Sequence, residues 1–324
     1  MTADRAALAA VFAQSAQTAR YPIELPDAAV ATVFDIPEGM QLVAAQCVLQ
    51  SGVHLSHGES AERAASLAFC SAAAELAASG AMPAWSTVSL SVPGGDRQWI
   101  TRFAERLNSL GAAIQLQFIA GPVQRGTLAV SIQLSGLVES GCAMRPGGAQ
   151  VGDIVYVSGE LGAVAHCTDR IQRGDTPDEA CLRRWRSPVP RIGMGRYIAE
   201  FATGCVNISE GLGQSLADMA RLSGVGMSVK LDAVPLPVSV SELGVAGLDL
   251  ALYGSGDSEL CFTAPASAAV AARLANLPPV MGRVTAIGTV DAESGIRGIS
   301  ARAQVVELPS RGWRHFTGTT DIVL

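Results

Sequence analysis

A chain of 324 residues, 49% hydrophobic and 16% charged, has the composition of folded globular domains and is long enough for two of them. Its net charge of -6, with no basic stripe anywhere, excludes a general nucleic-acid-binding surface. No apolar run reaches the roughly 18 residues of a membrane span, so no membrane partner is expected.

The cysteine and lysine content indicates the redox state of the thiols and limits the possible catalytic mechanisms. The seven cysteines are dispersed and include no CxxC pair, which is typical of reduced, mostly buried thiols in a cytoplasmic protein. Lys230 is the only lysine, so most mechanisms that need a catalytic lysine are excluded. Asp4 and Arg5 interrupt the Ala-rich N-terminus before an uncharged core of signal-peptide length forms.

The first half of the chain alternates helical and extended patterns. Residues 127–138 carry apolar side chains at alternate positions, as a half-buried strand does. Asp96 stands where a helix cap is expected, ahead of an apolar helical face that stops at Gly111. The predicted elements are a helix at 3–18, a strand at 41–49, a helix at 60–79, a strand at 87–92, a helix at 97–111 and a strand at 127–138.

A Gly/Pro-rich segment at 139–150 separates the first half from the second. The patterns in the second half predict a strand at 153–158, a polar stretch at 168–187, helices at 191–203 and 210–222, and strands near 226–231, 258–263, 280–289 and 302–307. Because the strict βαβ rhythm of a doubly wound sheet is missing, the sequence predicts two α+β domains, at 1–145 and 146–324.

The motifs of the common nucleotide enzymes and hydrolases do not occur: there is no P-loop, no GxGxxG after a strand, no HExxH and no GxSxG. Short landmarks rich in Gly, Pro and apolar residues occur instead, in a fixed order. They are 25–30 (LPDAAV), 50–55 (QSGVHL), 75–85 (ELAASGAMPAW), 120–126 (AGPVQRG), 152–159 (GDIVYVSG), 187–191 (SPVPR), 207–212 (NISEGL), 253–263 (YGSGDSELCFT) and 312–316 (GWRHF).

In order and spacing these landmarks resemble the thiamine-monophosphate kinase family, within the aminoimidazole ribonucleotide synthetase superfamily, from about residue 23 to 316. The resemblance implies a two-domain α+β fold of the aminoimidazole ribonucleotide synthetase type, whose N-terminal strands pair across a homodimer. It also implies ATP and Mg²⁺ as cofactors, a small-molecule ligand and a ligand cleft. The implied cleft positions are Asp27, Cys47, Glu75, Gly121, Arg125, Arg145, Asn207, Ser209, Glu210, Asp257 and Trp313, with Asp27, Glu75, Glu210 and Asp257 as metal ligands.

The chain departs from the family pattern mainly at acidic positions. The family's Gly-Asp-Asp-Ala-Ala keeps one acid, Asp27, and the Asp of its Thr-Asp pair falls on Cys47. Its Gly-Gly-Asp-Thr has Pro122 in the acid's place, and its Asp-x-Ser-Asp-Gly-Leu reads NISEGL. The remaining departures are Glu75 for Asp, Ser215 for a following Asp, and Gly256 for the first Glu of a motif that keeps Asp257 and Glu259.

These departures matter because Mg²⁺ requires near-octahedral oxygen ligands and phosphoryl transfer relies on positioning and electrostatic stabilisation. A proline or a thiol offers no hard oxygen. The sequence therefore predicts a thiamine-monophosphate-kinase-like protein that has lost ordinary Mg-ATP phosphoryl transfer and keeps a cleft for a small phosphorylated or heteroaromatic ligand. The alternative is an active ATP-dependent kinase of thiamine monophosphate, or of another small substrate, with a reduced metal site.

For several individual residues the sequence supports both a structural and a functional interpretation. Cys47 is predicted to be a small buried thiol on a strand rather than a nucleophile, and Ser209 a helix N-cap whose helix could also accept a phosphate. The acids Asp27, Glu75, Glu210, Asp257 and Glu259 form a residual cation site or serve as caps and surface charges. Arg125, Arg145 and Arg191 bind phosphate or form structural ion pairs, Trp313 and Phe316 line a ring site or pack in a core, and His54 is structural.

Overall fold

The computed structural model describes residues 3–23 and 32–313. Its helices are α1 (Ala3–Phe12), α2 (Ala61–Ala78), α3 (Arg97–Ala112), α4 (Ala163–Gln172), α5 (Glu179–Arg186), α6 (Ile192–Ile198), α7 (Leu212–Ser223), α8 (Val238–Ser241), α9 (Val245–Tyr253) and α10 (Ala268–Ala275). Its strands are β1 (Met40–Gln50), β2 (Met82–Val92), β3 (Gln117–Arg125), β4 (Ala129–Glu139), β5 (Ile154–Ser158), β6 (Gly204–Asn207), β7 (Gly226–Lys230), β8 (Leu260–Ala264), β9 (Val284–Asp291), β10 (Gly295–Ile299) and β11 (Val305–Glu307).

The chain divides into two compact units. The N-terminal unit comprises Met1–Ala143 and Arg186–Tyr197, and the C-terminal unit comprises Met144–Trp185 and Ile198–Leu324. Each unit combines helices with a sheet, which confirms the predicted α+β class. None of the helices in the described part of the chain has the length and hydrophobicity needed to cross a membrane.

The N-terminal unit is built on a mixed sheet of strand order β1-β4-β2-β3. Strand β4 runs antiparallel to both of its neighbours, and β3 runs parallel to β2. Helix α2 packs on β1 and β4 through a buried alanine-rich face, and α3 packs on α2. Helix α6 approaches α2 so closely that a side chain at Gly195 would collide with the Ala77 carbonyl, so residues 186–197 return to this unit.

Several predicted elements of this unit are confirmed. The Asp96 side chain accepts a hydrogen bond from the Trp99 N–H at 3.0 Å and caps α3. Strand β4 buries Val130, Ile132 and Leu134 on one face, as its alternating pattern predicts. The first helix ends at Phe12, earlier than predicted, because the chain tightens into a 3-10 turn at Ala13–Gln17.

Strand β3 was not predicted, because Gly121 and Pro122 in its middle are ordinary turn signals. Both residues are tolerated there for physical reasons. Strand β3 is at the edge of the sheet, where the missing proline N–H need not pair with a neighbour. The register with β2 shifts between Val88 and Leu90, opposite these residues, and a side chain at Gly121 would collide with Ser89.

The segment ahead of residue 24 is fastened to the sheet by two buried side chains. Gln117 accepts a hydrogen bond from the Ile23 N–H at 2.8 Å and donates one to the Ile23 carbonyl at 2.9 Å. Trp85 donates its indole N–H to the Tyr21 carbonyl at 2.7 Å and packs 4.7 Å from the Phe34 ring, between ring centroids. Tyr21, Ile23 and Phe34 are thereby held against β2 and β3.

The C-terminal unit is built on a larger mixed sheet of order β11-β10-β7-β9-β5-β8-β6. Its neighbours are antiparallel except for β10 and β7, which run parallel. Helix α7 packs on β6, β7 and β10, and α9 packs on both α4 and α7. The polar stretch at 168–187 holds the end of α4 and all of α5, short helices that the charged pattern did not reveal.

We expect Gln117→Ala to lower the free energy of unfolding by about 2 kcal/mol, because it removes two buried hydrogen bonds and leaves the Ile23 backbone groups without them. Urea unfolding followed by far-UV circular dichroism measures the change. The matched control is Gln133→Ala, at an exposed position of β4, which should shift stability by less than about 0.5 kcal/mol. Equal effects of the two substitutions would show that the Gln117 contacts contribute nothing.

Candidate functional site

The last residue of β6 and the turn to α7 contain three of the six predicted cleft residues of the C-terminal unit, namely Asn207, Ser209 and Glu210. Gly211 occupies the cap position of α7 with φ +106°, and a side chain there would lie 3.1 Å from the Leu252 and Gly254 carbonyls. The prediction that Ser209 caps the helix is wrong, because this left-handed glycine separates it from the first turn. The Ser209 carbonyl instead accepts a hydrogen bond from the Gly256 N–H at 2.9 Å.

The last described residues pack against the same turn. The Trp313 N–H donates to the Glu210 carbonyl at 3.0 Å, and a side chain at Gly312 would collide with that carbonyl. The Arg311 guanidinium lies over the Tyr253 ring, 5.2 Å from its centroid. Residues 207–212, 253–256 and 311–313 therefore form one contiguous group, called here the turn cluster.

Asp257 follows the turn cluster directly and is buried against α4. One carboxylate oxygen, Oδ2, accepts the Gly162 N–H at 2.5 Å, and Oδ1 accepts the Val164 N–H at 3.4 Å. Burial raises the pKa of this carboxyl to about 6, the two backbone N–H groups lower it in part, and nearby Glu259 raises it further. The capping interpretation of Asp257 thus matches its observed contacts.

In the N-terminal unit the structure brings Cys47 and Glu75 together. Cys47 lies half-buried on β1 and interacts with Ser71 and Glu75, both on α2. Burial raises the pKa of its thiol to about 11, the Ser71 hydrogen bond lowers it, and the Glu75 charge raises it. At neutral pH this thiol is protonated, which favours the structural interpretation over a nucleophile.

Other predicted positions of this unit lie elsewhere. Gly121 and Arg125 are on β3, at the opposite edge of the sheet from Cys47 and separated from β1 by roughly 14 Å. Arg125 is exposed at the end of its strand. In the C-terminal unit Arg145 is exposed, and its carbonyl accepts the Cys205 N–H at 3.1 Å. Asp27 and Phe316 lie outside the described residues.

His54 has the structural role expected for it. The ring Nδ1 of His54 accepts the Gln50 backbone N–H at 3.2 Å, and the backbone N–H of His54 donates to the Gln50 carbonyl at 2.9 Å. Both bonds stay within the turn that follows β1.

The acidic side chains of the described residues are not gathered into a metal-binding cluster. Across residues 3–23 and 32–313, no group of three His, Cys, Asp or Glu side chains could hold a metal ion. Glu75 and Glu210 are exposed, while Asp257 directs its oxygens at backbone N–H groups. Mg²⁺ needs oxygens converging at about 2.1 Å, which these contacts do not provide.

The residues that surround Asp257 were not among the site residues predicted from the sequence. Ser158 and Gly159 begin the connection from β5 to α4, and Gly162 ends it. Arg184, on α5, donates to the Glu160 carbonyl at 3.2 Å and to its carboxylate at 2.7 Å. Two glycines flanking Glu-Leu directly after a predicted strand were the available signal for this loop.

The chain is similar in sequence and in fold to proteins of one known class. Residues 26–138 match the family described as AIR synthase related protein, N-terminal domain. The solved thiamine-monophosphate kinase of Stenotrophomonas maltophilia is 31% identical, has a TM-score of 0.82, and is matched over 90% of this chain and 95% of its own. The protein is thus of the AIR synthase type, as the order of its landmarks predicts.

The family within that class follows from closer relatives. The thiamine-monophosphate kinase of Salmonella typhimurium is 32% identical over 240 residues, which cover 72% of this chain and 74% of that enzyme. The structure of AaThiL complexed with AMPPCP and TMP is 25% identical, with a TM-score of 0.75, over 87% of this chain and 89% of that one. The chain belongs to the thiamine-monophosphate kinase family.

The raised pKa of Asp257 predicts a pH dependence of stability. Because the folded-state pKa of about 6 exceeds the ordinary value of 3.8, the free energy of unfolding falls as pH rises through this interval. Asp257→Asn removes the ionisation. Its stability relative to the wild type should therefore rise by about 2 kcal/mol between about pH 4.5 and 7.5, measured by urea unfolding.

Asp178 provides the control. It also caps a helix, accepting the Cys181 N–H at 2.9 Å, but it is exposed and this hydrogen bond lowers its pKa. Its stabilisation is present above its unfolded-state pKa and disappears only in stronger acid. The stability difference between Asp178→Asn and the wild type should stay constant over the same range, and a constant difference for Asp257→Asn as well would refute the prediction.

Proposed function

We propose that this protein retains the small-molecule binding architecture of thiamine-monophosphate kinases and does not carry out ordinary Mg-ATP phosphoryl transfer. The proposed ligand is a small phosphorylated or heteroaromatic molecule. Binding of ATP and of Mg²⁺ is to be measured. We also propose a reducing, cytoplasmic compartment, supported by the free state of all seven cysteines.

The state of Cys47 is the observation that carries this proposal. It stands where the resemblance places a metal-binding Asp, and its thiol, with a pKa raised to about 11, is neutral at physiological pH. A protonated sulfur neither neutralises Mg²⁺ nor offers it a hard oxygen ligand. Loss of one such ligand removes both charge and positioning from phosphoryl transfer, whose catalysis consists of these two effects.

Retained backbone geometry supports the binding half of the proposal. Gly211, Gly254, Gly256 and Gly312 in or beside the turn cluster all lie where a side chain would meet neighbouring atoms. The AaThiL structure is described as complexed with AMPPCP and TMP, which makes a nucleotide and thiamine monophosphate the first ligands to test here. An intact backbone frame with altered acids fits binding without the original transfer.

The test of this proposal is phosphate transfer from ATP to thiamine monophosphate with Mg²⁺ present, with the Salmonella typhimurium enzyme as positive control. We expect the rate to be about a hundredfold lower than that of the control, because a misplacement of about 1 Å at the reacting groups costs about that factor. Calorimetric titration with AMPPCP and with thiamine monophosphate should still detect binding of at least one. Transfer at the control's rate would overturn the loss of activity, and binding of neither ligand would overturn the retained cleft.

We further propose that the N-terminal unit forms a homodimer through β1. Among the described residues β1 pairs only with β4, which leaves the other edge of this long strand available. Val48 and Leu42 on this strand are about half exposed. An open apolar edge strand is a template for pairing with a second chain.

The dimer proposal predicts that Val48→Lys shifts the protein toward monomer, because a charge on an edge strand opposes strand addition. Size-exclusion chromatography with light scattering, over a concentration series, measures the mass. Val305→Lys, at an exposed position of β11 in the other unit, is the matched control and should leave the mass unchanged. A wild-type monomer at all concentrations would contradict the proposal.

A further inference from the structure

Asp257 holds the first turn of α4. The helix has Gly162 at its cap position and no side-chain cap of its own, so its first N–H groups need an outside acceptor. The Asp257 carboxylate supplies it, with one oxygen on the Gly162 N–H and the other on the Val164 N–H. A carboxylate here also interacts favourably with the positive end of the helix dipole.

Glu259 holds the other end of the same loop. Its Oε2 accepts the Ser158 hydroxyl at 2.5 Å, and that hydroxyl accepts the Leu260 N–H at 2.9 Å. A side chain at Gly159, whose φ is +60°, would collide with the Glu259 carboxylate. Glu259 is therefore pressed against the start of the loop.

The loop between these ends, Ser158 to Gly162, is further bound to other segments. The Gly159 N–H donates to the Arg283 carbonyl at 2.8 Å, and the Leu161 N–H donates to the Pro235 carbonyl at 2.9 Å. Arg184 binds both the carbonyl and the carboxylate of Glu160. Two acids just before β8 thus fix both ends of a loop whose middle is held by main-chain and arginine contacts.

We propose that Asp257 and Glu259 are positioning residues that set the conformation of the Ser158–Gly162 loop and hold no metal ion. Both carboxylates are almost fully buried, so each needs hydrogen-bond donors in place of water. The donors found are the backbone N–H groups of Gly162 and Val164 for Asp257 and the Ser158 hydroxyl for Glu259. The same two acids in the family motif thereby have a role in this chain that is independent of Mg²⁺.

The test is thermal unfolding of the full-length variants Asp257→Asn and Asp257→Ala. Each is measured without added ligand and with Mg²⁺ as the only added ligand. The amide oxygen of Asn still accepts a backbone N–H, whereas Ala leaves the first turn of α4 without its acceptor. We expect Asp257→Ala to unfold roughly 4–8 °C below Asp257→Asn. Equal unfolding temperatures would overturn the positioning role.

The metal half of the proposal is decided by the response to Mg²⁺. The proposal requires that Asp257→Asn and Glu259→Gln keep whatever Mg²⁺-dependent temperature shift the wild type shows, and a wild type with no shift also supports it. Loss of a wild-type shift in either folded variant would overturn it. Glu293→Gln, an exposed acid of the same unit, is the control. Because no readout depends on phosphate transfer, this inference and the proposed function fail separately.

Discussion

The carboxylate of Asp257 meets the backbone N–H groups of Gly162 and Val164 in a site with almost no access to water. An ionised carboxyl is costly in such a place unless donors replace its hydration, and the unpaired first turn of a helix offers those donors. The carboxylate thereby gains donors in place of water, and the N–H groups at the start of α4 gain an acceptor. This contact fixes the start of α4, while Glu259 holds the other end of the loop that precedes the helix.

Glycines impose a second constraint that is independent of any acid. Gly211 needs a left-handed backbone, and Gly312 needs to pass next to the Glu210 carbonyl. Such positions restrict the residue type through steric contact with neighbouring backbone. Steric contacts of this kind explain why the landmarks rich in glycine are recognisable in the sequence.

The sequence predicted the parts of the fold whose local pattern and tertiary environment agree. The alternation in β4 and the Asp96 cap of α3 are of this kind. It missed β3, because an edge position permits Gly121 and Pro122 in a strand, and edge position is a property of the whole sheet. It misplaced the cap of α7, because a serine before a helix is the commoner solution and the close approach of residues 252–254 to Gly211 is not local in sequence. The acceptor for the α4 first turn comes from a residue more than ninety positions away, which no periodicity reveals.

The same logic applies to Cys47. A carboxylate on a half-buried strand facing Glu75 would suffer both desolvation and like-charge repulsion unless a cation lay between them. A thiol at this position stays neutral and needs no cation. The local electrostatics of β1 and α2 are therefore satisfied without a metal ion at this position, which agrees with the function proposed above.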